Sequence, residues 1–190
     1  MKSYHTHGGD VYRHQNVTDF SANCNPFGTP ESVKEAVARA MDQVCHYPDV
    51  ECERLREAIS RYEEIPQEQI ICGNGAADLI FALVLALKPK KALLPAPTFA
   101  EYEQALEAVD CEIKRYTLKE ECGFLVGREF LECITEELDM VFLCNPNNPT
   151  GVLMEQDFYR MCCAAVRNPA VSLCWMNALW ILWNIQMCIP

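Results

Sequence analysis

Leu143-Cys144-Asn145-Pro146-Asn147-Asn148-Pro149-Thr150-Gly151 is the stretch from which the rest of the chain is best read. It follows the apolar run Met140–Leu143, which has the character of a short buried strand, and precedes the helix-like segment from Glu155 to Ala165. Two prolines and three asparagines within the seven residues from Asn145 to Gly151 can continue neither element. Proline removes an amide donor and fixes its own φ, and Asn tolerates turn conformations. The pattern therefore predicts a rigid loop at the carboxyl end of a strand, where open α/β sheets place their ligands. Taken as local chemistry alone, Asn-Pro and Pro-Thr-Gly would also make an ordinary turn.

Working outward, Ile70 to Gly75 is a short apolar segment running into two glycines, followed by the apolar-rich helical pattern of Leu79, Ile80, Leu83, Val84 and Leu87. Strand, glycine turn and helix start together form an anion site, because bare amides point outward at the positive end of the helix dipole. Tight packing between two elements would also require small residues there. Lys91–Leu94 reads as a strand, Ala100-Glu101-Tyr102 as the start of a helix, and Cys111–Leu118 and Phe124–Val126 as edge strands. A short helix from Arg128 to Thr135 and a strand from Leu138 to Cys144 follow. This alternation predicts an α/β fold with a mostly parallel, doubly wound sheet. Earlier in the chain, Thr29 as N-cap, Pro30 and Glu31 start an amphipathic helix that reaches Cys45. A second helix, from Glu51 to Glu63, carries Leu55, Ala58, Ile59 and Tyr62 on one face.

The formal net charge of -11 argues against nucleic acid or an anionic membrane as partner. Residues 1–10 lack the apolar core of a signal or transit peptide. The twelve cysteines form no CxxC pattern, so a metal site is not expected. They read as reduced thiols in a cytoplasmic setting, with a disulfide framework as the alternative.

The central run resembles the N-P-x-N-P-T-G motif of the aminotransferase-like family of pyridoxal-phosphate (PLP) enzymes. The resemblance implies PLP as cofactor, with Asn148 on the phenolic oxygen of its ring and on the substrate carboxylate. It also assigns the amides of Gly75, Ala76 and Ala77 to the cofactor phosphate, in relatives often helped by a hydroxyl where Ala77 stands. Asp19–Gly28 (D-F-S-A-N-C-N-P-F-G), the preceding H-G-G arm and the P-T-F-A-E-Y run are similar to the branch of L-threonine O-3-phosphate decarboxylases of cobalamin biosynthesis. Histidinol-phosphate aminotransferases are close relatives that share the cofactor contacts. By this likeness His7 and Asn25 approach a phosphorylated amino-acid substrate, and Tyr102 lies against the pyridine ring. Tyr47, in His46-Tyr47-Pro48-Asp49, reaches the cofactor phosphate of the partner in a homodimer. The bland alternatives are a flexible arm for His7, a turn tyrosine for Tyr47 and a core tyrosine for Tyr102.

The resemblance covers about His7 to Asp157, and the chain departs from the family beyond it. PLP chemistry needs a Schiff-base lysine and an acidic group on the pyridine nitrogen, yet no lysine follows Lys119, so no catalytic residue is assigned. Lys88, Lys90 and Lys91 read as solvent-exposed. The expected organisation is an arm and first helix over 1–45, a partial PLP-binding domain over 46–160 and an aberrant apolar tail over 161–190. That tail holds all three tryptophans and a single charged residue, Arg167. A membrane anchor is disfavoured by Asn177, Asn184 and Gln186 and by the lack of a basic flank, which leaves a core helix or a change of reading frame. Trp175-Met176-Asn177 is encoded TGG-ATG-AAY, and the frame starting at the third base reads GAT-GAA, Asp-Glu. The family places such a pair about twenty-five residues after its motif. On this reading the chain is an incomplete, inactive member of its family.

Overall fold

The computed structural model describes residues 8–14, 16–166 and 171–177. The chain divides after Cys72 into two compact units.

In the first unit, helix α1 spans Glu31–Ala40 and runs on as a single 3₁₀ turn, Met41–Gln43. Pro30, not Thr29, occupies the N-cap, its carbonyl accepting from the amides of Val33 and Lys34 at 3.0 and 3.2 Å. Helix α2 spans Glu53–Glu63 and is started by Asp49, whose carboxylate accepts the amides of Glu51 (3.0 Å) and Glu53 (2.8 Å). The segment after α2 folds back onto it. Arg56 Nη2 donates to the Gln67 carbonyl at 3.0 Å, Ser60 Oγ to the Ile65 carbonyl at 2.6 Å, and Gln67 Nε2 to the Glu53 carbonyl at 3.2 Å. These bonds tie α2 to the segment that follows it, within the first unit.

The second unit is built on a four-stranded parallel sheet in the order β2-β1-β3-β4. Its strands are β1 Lys91–Ala96, β2 Glu112–Thr117, β3 Met140–Cys144 and β4 Ser172–Met176. Helices α3 (Ala76–Leu87), α4 (Ala100–Glu107), α5 (Glu129–Glu132) and α6 (Gln156–Ala165) alternate with them. Side chains alternate across the sheet with the period of two that pleating imposes. Ala92, Leu94, Met140, Phe142 and Cys144 pack with Ile80 and Val84 of α3 and with Tyr102, Ala105 and Leu106 of α4. Leu93, Val141 and Leu143 face the other way, onto Phe130 of α5, Cys162 of α6 and Met154. Every residue of β3 is buried, as the continuous apolar run M-V-F-L-C requires of a parallel strand covered on both faces.

Two expectations are corrected. Ile70 has extended dihedrals, but residues 70–75 join no ladder among the described residues, because no strand lies along them to accept their bonds. Phe124–Val126 is no strand, since Gly123 and Phe124 both turn through positive φ (61° and 56°). Within the expected tail, Met161–Ala165 completes α6, and Ser172–Met176 is a strand that pairs along its length with β3. Residues 172–176 are thus neither a core helix nor a membrane span, and no helix among the described residues is long and apolar enough to cross a membrane. Residues 178–190, the rest of the expected tail, lie outside the described residues.

Candidate functional site at the sheet's carboxyl edge

The order β2-β1-β3-β4 contains a reversal. From β1 the chain crosses to β2 on one side and then returns to place β3 on the other. The helices following these two central strands lie on opposite faces, α4 with one core cluster and α6 with the other. The loops leaving β1 and β3 therefore flank the switch point, the carboxyl-edge position at which open α/β sheets have their ligand crevice. Pro97-Thr98-Phe99 leaves β1 there, and the asparagine-rich loop leaves β3.

The three asparagines of that loop have different surroundings. Asn145 is buried; its Oδ1 accepts the Met154 amide at 2.8 Å and its own amide donates to the Met176 carbonyl at 2.9 Å. Asn147 is buried too, with both ends of its carboxamide engaged: Thr98 Oγ1 donates to Oδ1 at 2.8 Å, and Nδ2 donates to Pro97 O at 3.1 Å and Thr150 Oγ1 at 2.9 Å. Asn148 is half-buried, and its side chain makes no hydrogen bond within the described residues. Its carboxamide is the one in this loop available to a ligand.

α3 precedes β1 and delivers the chain to that strand's amino end, so the helix's own amino terminus lies toward the carboxyl edge of the sheet. Gly75 caps it with φ 86° and ψ 168°, a conformation that L side chains rarely adopt. An added Cβ would meet nothing within 4 Å, so the dihedral, not crowding, selects glycine. Asp78 reaches back to accept the Asn74 amide at 2.9 Å, and no side chain caps the helix. The amides of Gly75, Ala76 and Ala77 are exposed at its positive end, and their donor set suits a phosphate dianion.

Tyr102 lies in the core of the second unit. Its exposure is 0 %, its ring is stacked on Phe142 (centroids 4.6 Å apart, 17° between planes), and Phe99 meets it edge-on at 5.7 Å. Its buried hydroxyl lies beside the Cys144 thiol, and burial, with that thiol next, pushes its pKa far above the usual phenol range. The aromatic ring at the crevice belongs to Phe99, half-buried at the N-cap of α4. Its position directly after the Pro97-Thr98 turn, one residue before the helix begins, is the sequence signal that identifies it.

In the first unit, Asn25 forms a turn of its own: Nδ2 donates to Gly28 O at 2.8 Å and Oδ1 accepts the Phe27 amide at 3.1 Å. Tyr47 is fully exposed beside a cavity of about 550 Å³ lined by Val44, His46 and Asp49. A larger cavity of about 690 Å³ lies between Asp10, His14, Asp19 and Phe20, and among the described residues none of its lining is an expected site residue. His7 lies outside the described residues. Lys88, Lys90 and Lys91 sit at the amino end of β1, the wrong end of the sheet for this site. Lys91 pairs with Glu137 at 2.9 Å and Glu112 at 3.6 Å, and the hydrogen bond it donates to the Glu137 carboxylate raises its pKa.

The architecture is that of a parallel α/β sheet with an exposed helix start and a half-buried asparagine near its carboxyl edge, the arrangement that open α/β enzymes use for phosphorylated ligands. Residues 15–170 match the aminotransferase class I and II family, and the chain belongs to it. The enzymes of this family are PLP-dependent aminotransferases and decarboxylases. The chain is 41% identical over 158 residues to the threonine-phosphate decarboxylase of Salmonella typhimurium, covering 79% of this chain and 43% of the relative. It is 45% identical over 152 residues to a putative threonine-phosphate decarboxylase of Caldanaerobacter subterraneus, covering 80% and 41%. The crystal structure of the histidinol-phosphate aminotransferase from Clostridium acetobutylicum superposes with a TM-score of 0.69 at 27% identity, covering 82% of this chain and 45% of that one. The chain spans less than half the length of the relatives it matches.

Proposed function

We propose that this chain carries the cofactor-cradling portion of a PLP-dependent decarboxylase acting on L-threonine O-3-phosphate in cobalamin biosynthesis. The observation that carries the substrate assignment is the 41% and 45% identity to threonine-phosphate decarboxylases, against 34% and 31% to histidinol-phosphate aminotransferases matched over similar lengths. When bound, PLP supplies an electron sink for the charge left on the α-carbon as carbon dioxide departs.

The chain's own groups hold and orient. The amides of Gly75, Ala76 and Ala77 bind the cofactor phosphate with the α3 dipole behind them. The Asn148 carboxamide donates to the phenolic oxygen and helps hold the substrate carboxylate, and Phe99 provides a flat apolar wall that restrains the ring. His7, and the Asn25 N–H left over from its turn, suit the substrate phosphate. The exposed Tyr47 serves a second copy of the chain, in a cytoplasmic homodimer. Neither Lys90 nor Lys91 is placed to tether the cofactor, so the 190-residue chain holds it without a covalent bond and without turnover.

Calorimetric titration of the chain tests this. PLP is expected to bind more tightly than pyridoxal, which lacks the phosphate, and to be lost on dialysis; threonine phosphate is expected to bind in preference to histidinol phosphate. Equal affinity for PLP and pyridoxal would refute the cradle, and preference for histidinol phosphate would move the chain to the aminotransferase branch. A cofactor that survives dialysis would refute the absence of a tether.

A further inference from the structure

We infer that Asn147 is a positioning residue, a splint across the switch-point crevice that sets the Phe99 ring relative to the Asn148 carboxamide. The inference rests on the PLP reading for its ligand, but its geometry stands without one. The loops after β1 and β3 diverge toward opposite faces of the sheet. Among the described residues, side-chain hydrogen bonds between these two loops all pass through Asn147, which accepts from Thr98 Oγ1 at 2.8 Å and donates to Pro97 O at 3.1 Å.

The same Nδ2 donates to Thr150 Oγ1 at 2.9 Å, and the backbone of Asn147 is held by Val152 O (2.9 Å) and the Gly151 amide (2.7 Å). The splint is thus fixed at its own end before it reaches across. At 6 % exposure these bonds are shielded from water, which would otherwise compete for both partners. Phe99 is the residue after Thr98 and Asn148 the residue after Asn147. A shift of the splint therefore moves the wall and the donor with respect to each other, while the phosphate cradle on α3 is untouched. Carboxamide chemistry is required, because one end must accept and the other donate. Aspartate would turn an acceptor toward Pro97 O, and leucine would remove both bonds.

The decisive measurement needs no ligand. With 4-fluorophenylalanine incorporated at Phe99, fluorine NMR of the unliganded chain is expected to give one narrow line. Asn147→Leu and the milder Thr98→Val are expected to shift or split that line, and Thr98→Ser, which keeps the hydroxyl, to restore it. A line unchanged in Thr98→Val overturns the inference even if Asn147→Leu does not fold. In the second arm, Thr98→Val is expected to weaken PLP binding about ten-fold, the worth of roughly one hydrogen bond, and to leave inorganic phosphate binding unchanged. Equal losses for both ligands would mean general loosening and overturn the splint. Wild-type chain that binds phosphate but gains nothing from the pyridoxal ring would sink the PLP reading alone, with the fluorine line still deciding the splint.

Discussion

The two units solve the burial problem differently. In the second, all five residues of β3 are buried and both sheet faces are covered by helices. In the first, Ile70 is the one buried residue among those described, and neither α1 nor α2 buries a side chain. Yet α1 carries as clear an apolar stripe as any surface helix, with Val33, Val37, Met41 and Val44 recurring at helical spacing. Their exposures run from 46% to 69%. The contrast teaches that periodicity encodes which face of an element is apolar and not what covers it. Where the chain itself supplies the cover, sequence pattern and stability coincide; where it does not, the pattern is a statement about a surface.

The sharpest way to break this contrast is at Phe142. Its ring lies at 0 % exposure between the sheet and Tyr102, so Phe142→Ala removes a stacked pair and leaves a cavity. The expected loss is about 3–5 kcal/mol in denaturant unfolding; a loss under about 1 kcal/mol would mean that the second unit is not packed as described. Next comes Asn145→Ala, which strands the Met154 amide that its Oδ1 now accepts. It is expected to cost about 1–3 kcal/mol, and to do so through the loop: hydrogen exchange at Met154 should accelerate more than at the β1 core.

These sites differ in how readable they were. The parallel sheet was legible because β1 and β3 are short apolar runs bounded by proline and asparagine, a pattern with few other solutions. The loop after β3 was legible as a ligand loop, but the different surroundings of its three asparagines were not. Asn145 and Asn147 owe their burial to Met154, Met176 and Thr98, partners as far as 49 residues away along the chain. The burial of Tyr102 was not legible either, because an aromatic residue three positions into a helix signals only that one helix face is apolar. Which face meets the sheet was settled by Ala105 and Leu106 packing on the same side. Residues 172–176 were hidden by composition, since a tryptophan- and cysteine-rich segment reads as strange until β3 offers it an edge.

The thiols sharpen the contrast by pH. Burial pushes Cys162 up to about 12 and Cys174 up to about 11, from an ordinary value of 9.0. Because the folded state holds these protons more tightly than the unfolded chain, their contribution to stability is complete below about pH 9 and falls as pH rises toward 12. Denaturation between pH 8 and 11 should show the second unit weakening, with a shallower slope in Cys162→Ala. The absence of any change in slope would mean that Cys162 is not shielded. Iodoacetamide should label the exposed Cys24 and Cys45 in the native protein and Cys162 only after denaturation.

The smallest expected effect decides most about the first unit. Val37 is 58% exposed on α1, so shortening it removes little buried surface, while alanine loses less side-chain freedom in a helix than a β-branched residue does. Val37→Ala should therefore be neutral or stabilise the first unit by up to about 0.5 kcal/mol. If a partner or a second copy covers the stripe, the sign reverses, because burying a valine is worth about 1.5–3 kcal/mol relative to leaving it in water. Unfolding of wild type and variant at two protein concentrations separates the cases. A destabilisation that grows with concentration means self-association through α1. One that is independent of concentration means cover within a single chain, and a small gain at both concentrations means that the stripe faces water.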